Sequence, residues 1–139
     1  MVDTCLKGTF FCSQAAALHM RARKLGSIIN LTSLAAKSGG LAAAPPYAAA
    51  KGGILTLTIY LARAMAPSGV RVNGIAPGVI DTDMTRGLSP GHTELARTIP
   101  LGEKGQPEDV ANCALFLASE RARHITGEII DVNGGLWMD

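Results

Sequence analysis

The sequence predicts an α/β fold built on an open parallel sheet. Three observations point there. Ser27–Leu31 and Val70–Ala76 are short, largely apolar runs without strict polar alternation, the pattern of strands covered on both faces of a parallel sheet. Between them lies one long apolar helical segment, Tyr47–Met65. Strand, helix and strand then form a crossover unit, right-handed with parallel strands in nearly all cases. At the start of that helix Tyr47 and Lys51 stand four residues apart, hence on one face. They follow the carboxyl end of a strand, where open α/β sheets hold their ligands.

Composition narrows the class. The 139 residues are one domain or a piece of one, with 47% hydrophobic and 17% charged residues. A net charge of +2, with no basic cluster beyond Arg21–Lys24, argues against nucleic acid as a partner. No uncharged apolar run is long enough for a membrane helix, and Asp3 and Lys7 interrupt any signal-peptide pattern. The three cysteines, Cys5, Cys12 and Cys113, lack metal or disulfide spacing. We therefore expect no metal and a reducing, cytoplasmic setting.

The elements follow in order. Asp3–Lys24 reads as a helix that is apolar almost all round and so is covered on more than one side, with Gly26 ending it. Ser27–Leu31 is the first strand, and Leu34–Pro46 a loop rich in Gly, Ala and Pro. Pro45-Pro46 keeps that loop extended and pre-sets the helix Tyr47–Met65. Within the helix, Gly52-Gly53 lets another backbone or a ligand come close. Val70–Ala76 is the second strand, and Pro77-Gly78 a turn. Thr82 or Asp83 suits a helix N-cap. Asp83–Thr98 reads as short helices in a flap carrying Met84, Leu88 and His92, with His92 solvated. Gln106-Pro107-Glu108-Asp109 starts a helix running to Ser119. Glu128–Val132 is the third strand, and Leu136-Trp137-Met138 an apolar tail suited to packing on a neighbour.

The chemistry centres on Ser33, Tyr47 and Lys51. A nearby positive charge favours ionisation of an acid, so Lys51 primes the Tyr47 phenol to exchange a proton with a carbonyl or alcohol oxygen. Such acid–base help is typically worth about 10²–10⁴ in rate. Ser33, at the strand end, can hold the same oxygen by a hydrogen bond.

These residues, with Asn73-Gly74-Ile75-Ala76-Pro77-Gly78-Val79-Ile80-Asp81-Thr82, Ile125-Thr126-Gly127-Glu128 and Asn133-Gly134-Gly135, resemble the short-chain dehydrogenase/reductase family. Within it the chain is most similar to the branch of 3-oxoacyl-(acyl carrier protein) reductases. The resemblance covers essentially all residues and implies that 1–139 is a single partial domain, the C-terminal part of a doubly wound parallel-sheet (Rossmann-like) domain. It implies an NAD- or NADP-dependent oxidoreductase that moves hydride between nicotinamide and a small-molecule carbonyl or secondary alcohol. It implies Tyr47 as acid/base, Lys51 on the nicotinamide ribose, and Ser33 on the substrate oxygen. It further implies Pro77, Gly78 and Ile80 against the nicotinamide ring or its amide, with the Thr82 hydroxyl at the nicotinamide end or the cofactor phosphates. The two long helices pair across a homo-oligomer interface in that family, as dimer or tetramer.

Two departures matter. The sequence contains no glycine-rich dinucleotide fingerprint, so we expect a C-terminal fragment that binds dinucleotide poorly by itself. Cys5 stands where the family usually has an asparagine serving proton relay from Lys51. Two other readings stay open: a non-catalytic fragment that keeps the oligomer-forming helices, and a dehydrogenase acting on a sugar, steroid or other alcohol.

Overall fold

The computed structural model describes residues 1–40, 43–86 and 90–138. Its framework is a three-stranded, all-parallel sheet in the order β1 (Gly26–Leu31), β2 (Val70–Pro77), β3 (Ile129–Val132). The register runs from Gly26 opposite Val70 to Leu31 opposite Ile75, and from Gly74 opposite Ile129 to Pro77 opposite Val132. The helices are α1 (Gly8–Arg23), α2 (Leu34–Ser38), α3 (Pro45–Met65), α4 (Asp83–Arg86), α5 (Pro90–Arg97) and α6 (Pro107–Ala118).

The helices cover both faces of the sheet. On one face, Ala17 of α1 and Ala62 and Met65 of α3 pack on Ile28, Val70 and Val72. On the other, Leu117 of α6 and Ala122 pack on Ile75, with Ile29, Ile130 and Val132 against them. The alternation of strand side chains between faces separates these two clusters. Two-sided burial is why the strands read as continuous apolar runs.

Several elements differ from the sequence reading. The first helix opens as a π-turn over Asp3–Lys7 before α1. It ends at Lys24, which takes the left-handed conformation at φ 54°, rather than at Gly26. Gly26 instead begins β1, where any Cβ would collide with the Met20 side chain. The expected loop Leu34–Pro46 contains α2, whose five residues show too little periodicity to announce a helix. Helix α3 starts at Pro45, so both prolines lie in its first turn, where a missing N–H costs nothing. Gly53 admits a side chain, Leu6, rather than another backbone. The expected helix start at Gln106 is observed, with the Gln106 N–H donated to Asp109 Oδ2 at 2.7 Å. In the flap, α4 and α5 are the short helices. Leu88 lies outside the described residues, as do the side chains of Met84 and His92.

Buried polar groups fasten the layers. Ser13 of α1 donates to Asn30 Oδ1 at 3.2 Å, and Asn30 Nδ2 donates to Thr58 Oγ1 of α3 at 3.0 Å. Asn73, fully buried in β2, donates to Ile125 O at 2.9 Å and accepts from Glu128 N at 3.0 Å. The Arg71 guanidinium donates to Leu117 O and Ser119 O at the C-terminal end of α6. That carbonyl-rich end carries negative partial charge, which the cation complements.

Candidate active site

The site forms where β1 and β2 end and α3 begins. Beyond Leu31 the chain leaves the sheet through Thr32 and Ser33. Thr32 is 2% exposed and donates its hydroxyl to Lys51 O at 3.0 Å, tying the strand end to the second turn of α3. Ser33 is half-buried and extended, and its Oγ accepts the Ala35 N–H at 3.1 Å, capping α2. An accepting hydroxyl keeps its own proton for donation elsewhere.

Tyr47 and Lys51 occupy the first two turns of α3 and are both half-buried. The Lys51 ammonium donates to Leu31 O at 2.8 Å and lies 5.7 Å from the centre of the Tyr47 ring. That separation is within reach of a cation–π attraction. Burial pushes the Lys51 pKa below the usual lysine range, and the electrostatic influence of nearby Cys5 partly opposes the shift. The π-turn thus brings Cys5 into the electrostatic neighbourhood of Lys51.

Pro77 and Gly78 end β2. A Cβ on Gly78 would stand 2.7 Å from Asn133 Cβ and 2.8 Å from its Cα, and the Gly78 N–H donates to Val132 O. Close packing against the chain beyond β3 therefore demands glycine here. The Ile80 side chain is buried against Gly105, and the Val79–Asp81 backbone pairs with Gly105. The Thr82 hydroxyl accepts the Thr85 N–H at 3.3 Å and lies 3.2 Å from the Thr85 hydroxyl. The N-cap alternative read for Thr82 is thus what its hydrogen bonds form. Trp137 is 37% exposed, and its carbonyl accepts from Asn133 Nδ2.

The structure therefore gathers Ser33, Tyr47 and Lys51 at one strand end and sets Pro77, Gly78, Ile80 and Thr82 beyond the neighbouring strand. Sequence reasoning missed Leu31 O as the acceptor for Lys51, because a backbone carbonyl has no sequence signature. It missed the Thr32–Lys51 bond too, although a hydroxyl beside Ser33 was visible. It also missed an ion pair between Lys37 of α2 and Asp131 of β3, at 2.6 Å. Opposite charges far apart in sequence signal nothing until the fold joins them.

Comparison with known proteins agrees with this architecture. A family model described as enoyl-(acyl carrier protein) reductase matches residues 1–137. A 3-oxoacyl-[acyl-carrier-protein] reductase, FabG, of Staphylococcus aureus strain Mu50 is 45% identical over 139 residues, which cover 99% of this chain and 56% of the relative. A crystal structure of a 3-oxoacyl-[acyl-carrier protein] reductase from Brucella melitensis superposes with a TM-score of 0.90 at 38% identity, covering 96% of this chain and 50% of that one. A second, from the same organism and with bound NAD, gives 0.88 at 37% identity, covering 99% and 51%. The chain spans about half the length of these relatives. With the family model matching nearly the whole of this chain, and a parallel α/β architecture that superposes on half of a Rossmann-fold reductase, the chain belongs to the short-chain dehydrogenase/reductase family.

Proposed function

We propose that this chain carries the catalytic centre of an NAD(P)-dependent oxidoreductase acting on a carbonyl or secondary alcohol, with a 3-oxoacyl thioester as the substrate class. One observation carries the reading. Lys51 is held beside the Tyr47 ring and 2.8 Å from the carbonyl oxygen of Leu31, the residue two before Ser33. The names of the similar reductases support the substrate class.

The donor set suits a nicotinamide nucleoside. An ammonium has three N–H groups. Lys51 uses one on Leu31 O, leaving two to reach the vicinal hydroxyls of a ribose. The backbone of Pro77, Gly78 and Ile80 would flank the nicotinamide, with the Thr82 hydroxyl beyond it. When bound, the nicotinamide supplies or accepts the hydride. In reduction, Tyr47 gives its phenolic proton to the substrate oxygen as that oxygen gains charge. Ser33 donates its O–H to the same oxygen while still accepting from Ala35 N. The Lys51 charge stabilises the phenolate left on Tyr47.

The reading extends to self-association as a dimer or tetramer through α1 and α3. Phe10, Phe11 and Leu18 of α1 and Tyr60 of α3 are exposed, Tyr60 at 68%. Between the two helices runs a groove of about 260 Å³ lined by Phe10, Ala17, Leu18, Tyr60 and Met65. Apolar surface of this kind marks interaction sites. We assign the protein to the cytoplasm, supported by three free thiols. Among the described residues no helix is long and apolar enough to cross a membrane.

The test is a fluorescence titration with NADH and with NADPH, which also separates the two cofactors, followed by reduction of an acetoacetyl thioester. In a complete enzyme that includes this chain, Tyr47→Phe should abolish turnover and leave cofactor affinity close to wild type. Turnover retained by Tyr47→Phe refutes the assignment.

A further inference from the structure

We propose that the Lys37–Asp131 ion pair positions Ser33, clamping the helix that Ser33 caps to the far strand of the sheet. The inference rests on the reading of Ser33 given above. Helix α2 has only five residues, too few to hold its shape without tertiary anchors. One anchor is at its start, where Leu34 and Ala35 are buried. The other is at its end, where Lys37 Nζ meets Asp131 Oδ2 at 2.6 Å, with both side chains mostly buried, at 12% and 18% exposure.

The geometry of the sheet gives the pair its reach. Ile130 and Val132 turn toward α6, so Asp131 between them turns to the opposite face, which carries α2 and α3. Asp131 stands opposite Ala76 of β2, one residue before Pro77. The pair therefore crosses the carboxyl end of the middle strand and joins the chain beyond β1 to β3. Ser33 is fixed from both sides. Thr32 holds it to α3 through Lys51 O, and Lys37 holds α2 to β3. Rotation of α2 about its axis would move the Ser33 cap, and with it the hydroxyl that meets the substrate oxygen. Lys37 and Asp131 are positioning residues, acting through Ser33.

The experiment uses Asp131→Ala, the conservative Asp131→Glu, and the double variant Lys37→Met with Asp131→Leu. Replacing both members of a buried pair by apolar groups of similar size is often neutral for stability, whereas removing one leaves a buried charge. Three readouts are taken on each variant in the complete enzyme: the thermal midpoint, kcat and KM, and hydrogen exchange at Ala35 and Ala36. Ser33 holds the amides of these two alanines. Gly127, whose amide bonds Val72 O in the sheet, serves as the internal reference.

The expected result for the double variant is a recovered midpoint with exchange at Ala35 and Ala36 still faster than at Gly127. Its kcat should stay roughly ten- to a hundredfold low, the scale of a misplaced catalytic group, with the KM for cofactor unchanged. Asp131→Glu should restore both slow exchange and kcat. If exchange at Ala35 and Ala36 and kcat simply follow the midpoint in every variant, the pair is structural and the proposal fails. Failure of the catalytic reading looks different: Tyr47→Phe then leaves turnover unchanged, while the exchange data still report on the clamp.

Discussion

Replacing Asn73 by leucine should destabilise the fold by about 4 kcal/mol. The side chain is fully buried in the central strand and satisfies two backbone groups of the chain leading into β3, Ile125 O and Glu128 N. Leucine is close in size and fills the space, so no large cavity opens. What remains is one buried carbonyl and one buried amide without their partners. Each such orphan costs roughly 1–3 kcal/mol, which together gives about 2–6. The measurement is urea unfolding at constant pH, read by two probes to check two-state behaviour. For a chain of this size each kcal/mol moves Tm by several degrees, so the midpoint should fall by roughly 10–20 °C. Asn73→Asp serves as the internal control. It keeps an acceptor for Glu128 N but faces Ile125 O with a carboxylate, so its deficit should shrink as pH falls and a protonated oxygen can donate again. An Asn73→Leu variant within about 1 kcal/mol of wild type would show that these bonds are not what hold the chain to β2, and the reasoning would fail.

Four further outcomes follow from the structure. Arg71→Leu should cost about 1.5–3 kcal/mol in urea unfolding by removing the charged donor from Leu117 O and Ser119 O, with Arg71→Lys recovering only part. Lys51 has its pKa lowered by burial, so the unfolded chain binds more protons between the folded value and the usual lysine value. Stability relative to Lys51→Met should therefore rise with pH across that window and be lost as pH falls through it. Cys113 has its pKa raised by burial and contributes with the opposite sign, losing stability as pH climbs past the usual thiol range. Unfolding series should be run in a Cys113→Ala background. Gly78→Ala should destabilise by about 1–3 kcal/mol, because the added methyl meets Asn133 backbone that cannot step aside; a neutral result by thermal melting would contradict the packing.

The strands were legible because two-sided burial writes itself as uninterrupted apolar runs, as in Ser27–Leu31 and Val70–Ala76. Helix α6 announced itself through Gln106-Pro107-Glu108-Asp109, whose local bonds need no distant partner. Tyr47 and Lys51 were readable because helical spacing alone puts them on one face. What stayed hidden depends on contacts far apart in the chain. Nothing near Lys37 hints at Asp131, and nothing near Thr58 says that its hydroxyl will meet Asn30. Thr58 stands fully buried within α3, the segment that reads in the sequence as a long apolar helix. Lys24 was missed for another reason: a lysine in the left-handed conformation is uncommon, and the nearby Gly26 drew the assignment. Its carbonyl sits close against Gly69, whose φ of 70° admits no easy side chain. Two turns at the same end of the sheet thus constrain each other.

The order of the strands has a consequence for how this half-domain is made. Its three strands lie side by side in the order in which they are synthesised, and all run the same way. After β1, each strand to leave the ribosome finds the edge it needs already present and the helix that covers the join already behind it. No strand must wait for a later one to be inserted between its neighbours. The last segment, Ile125–Val132, arrives at an edge where Asn73 already presents both a donor and an acceptor to it. Assembly can therefore proceed as a one-way accretion, with the final strand docking onto a template whose polar contacts are set before it emerges.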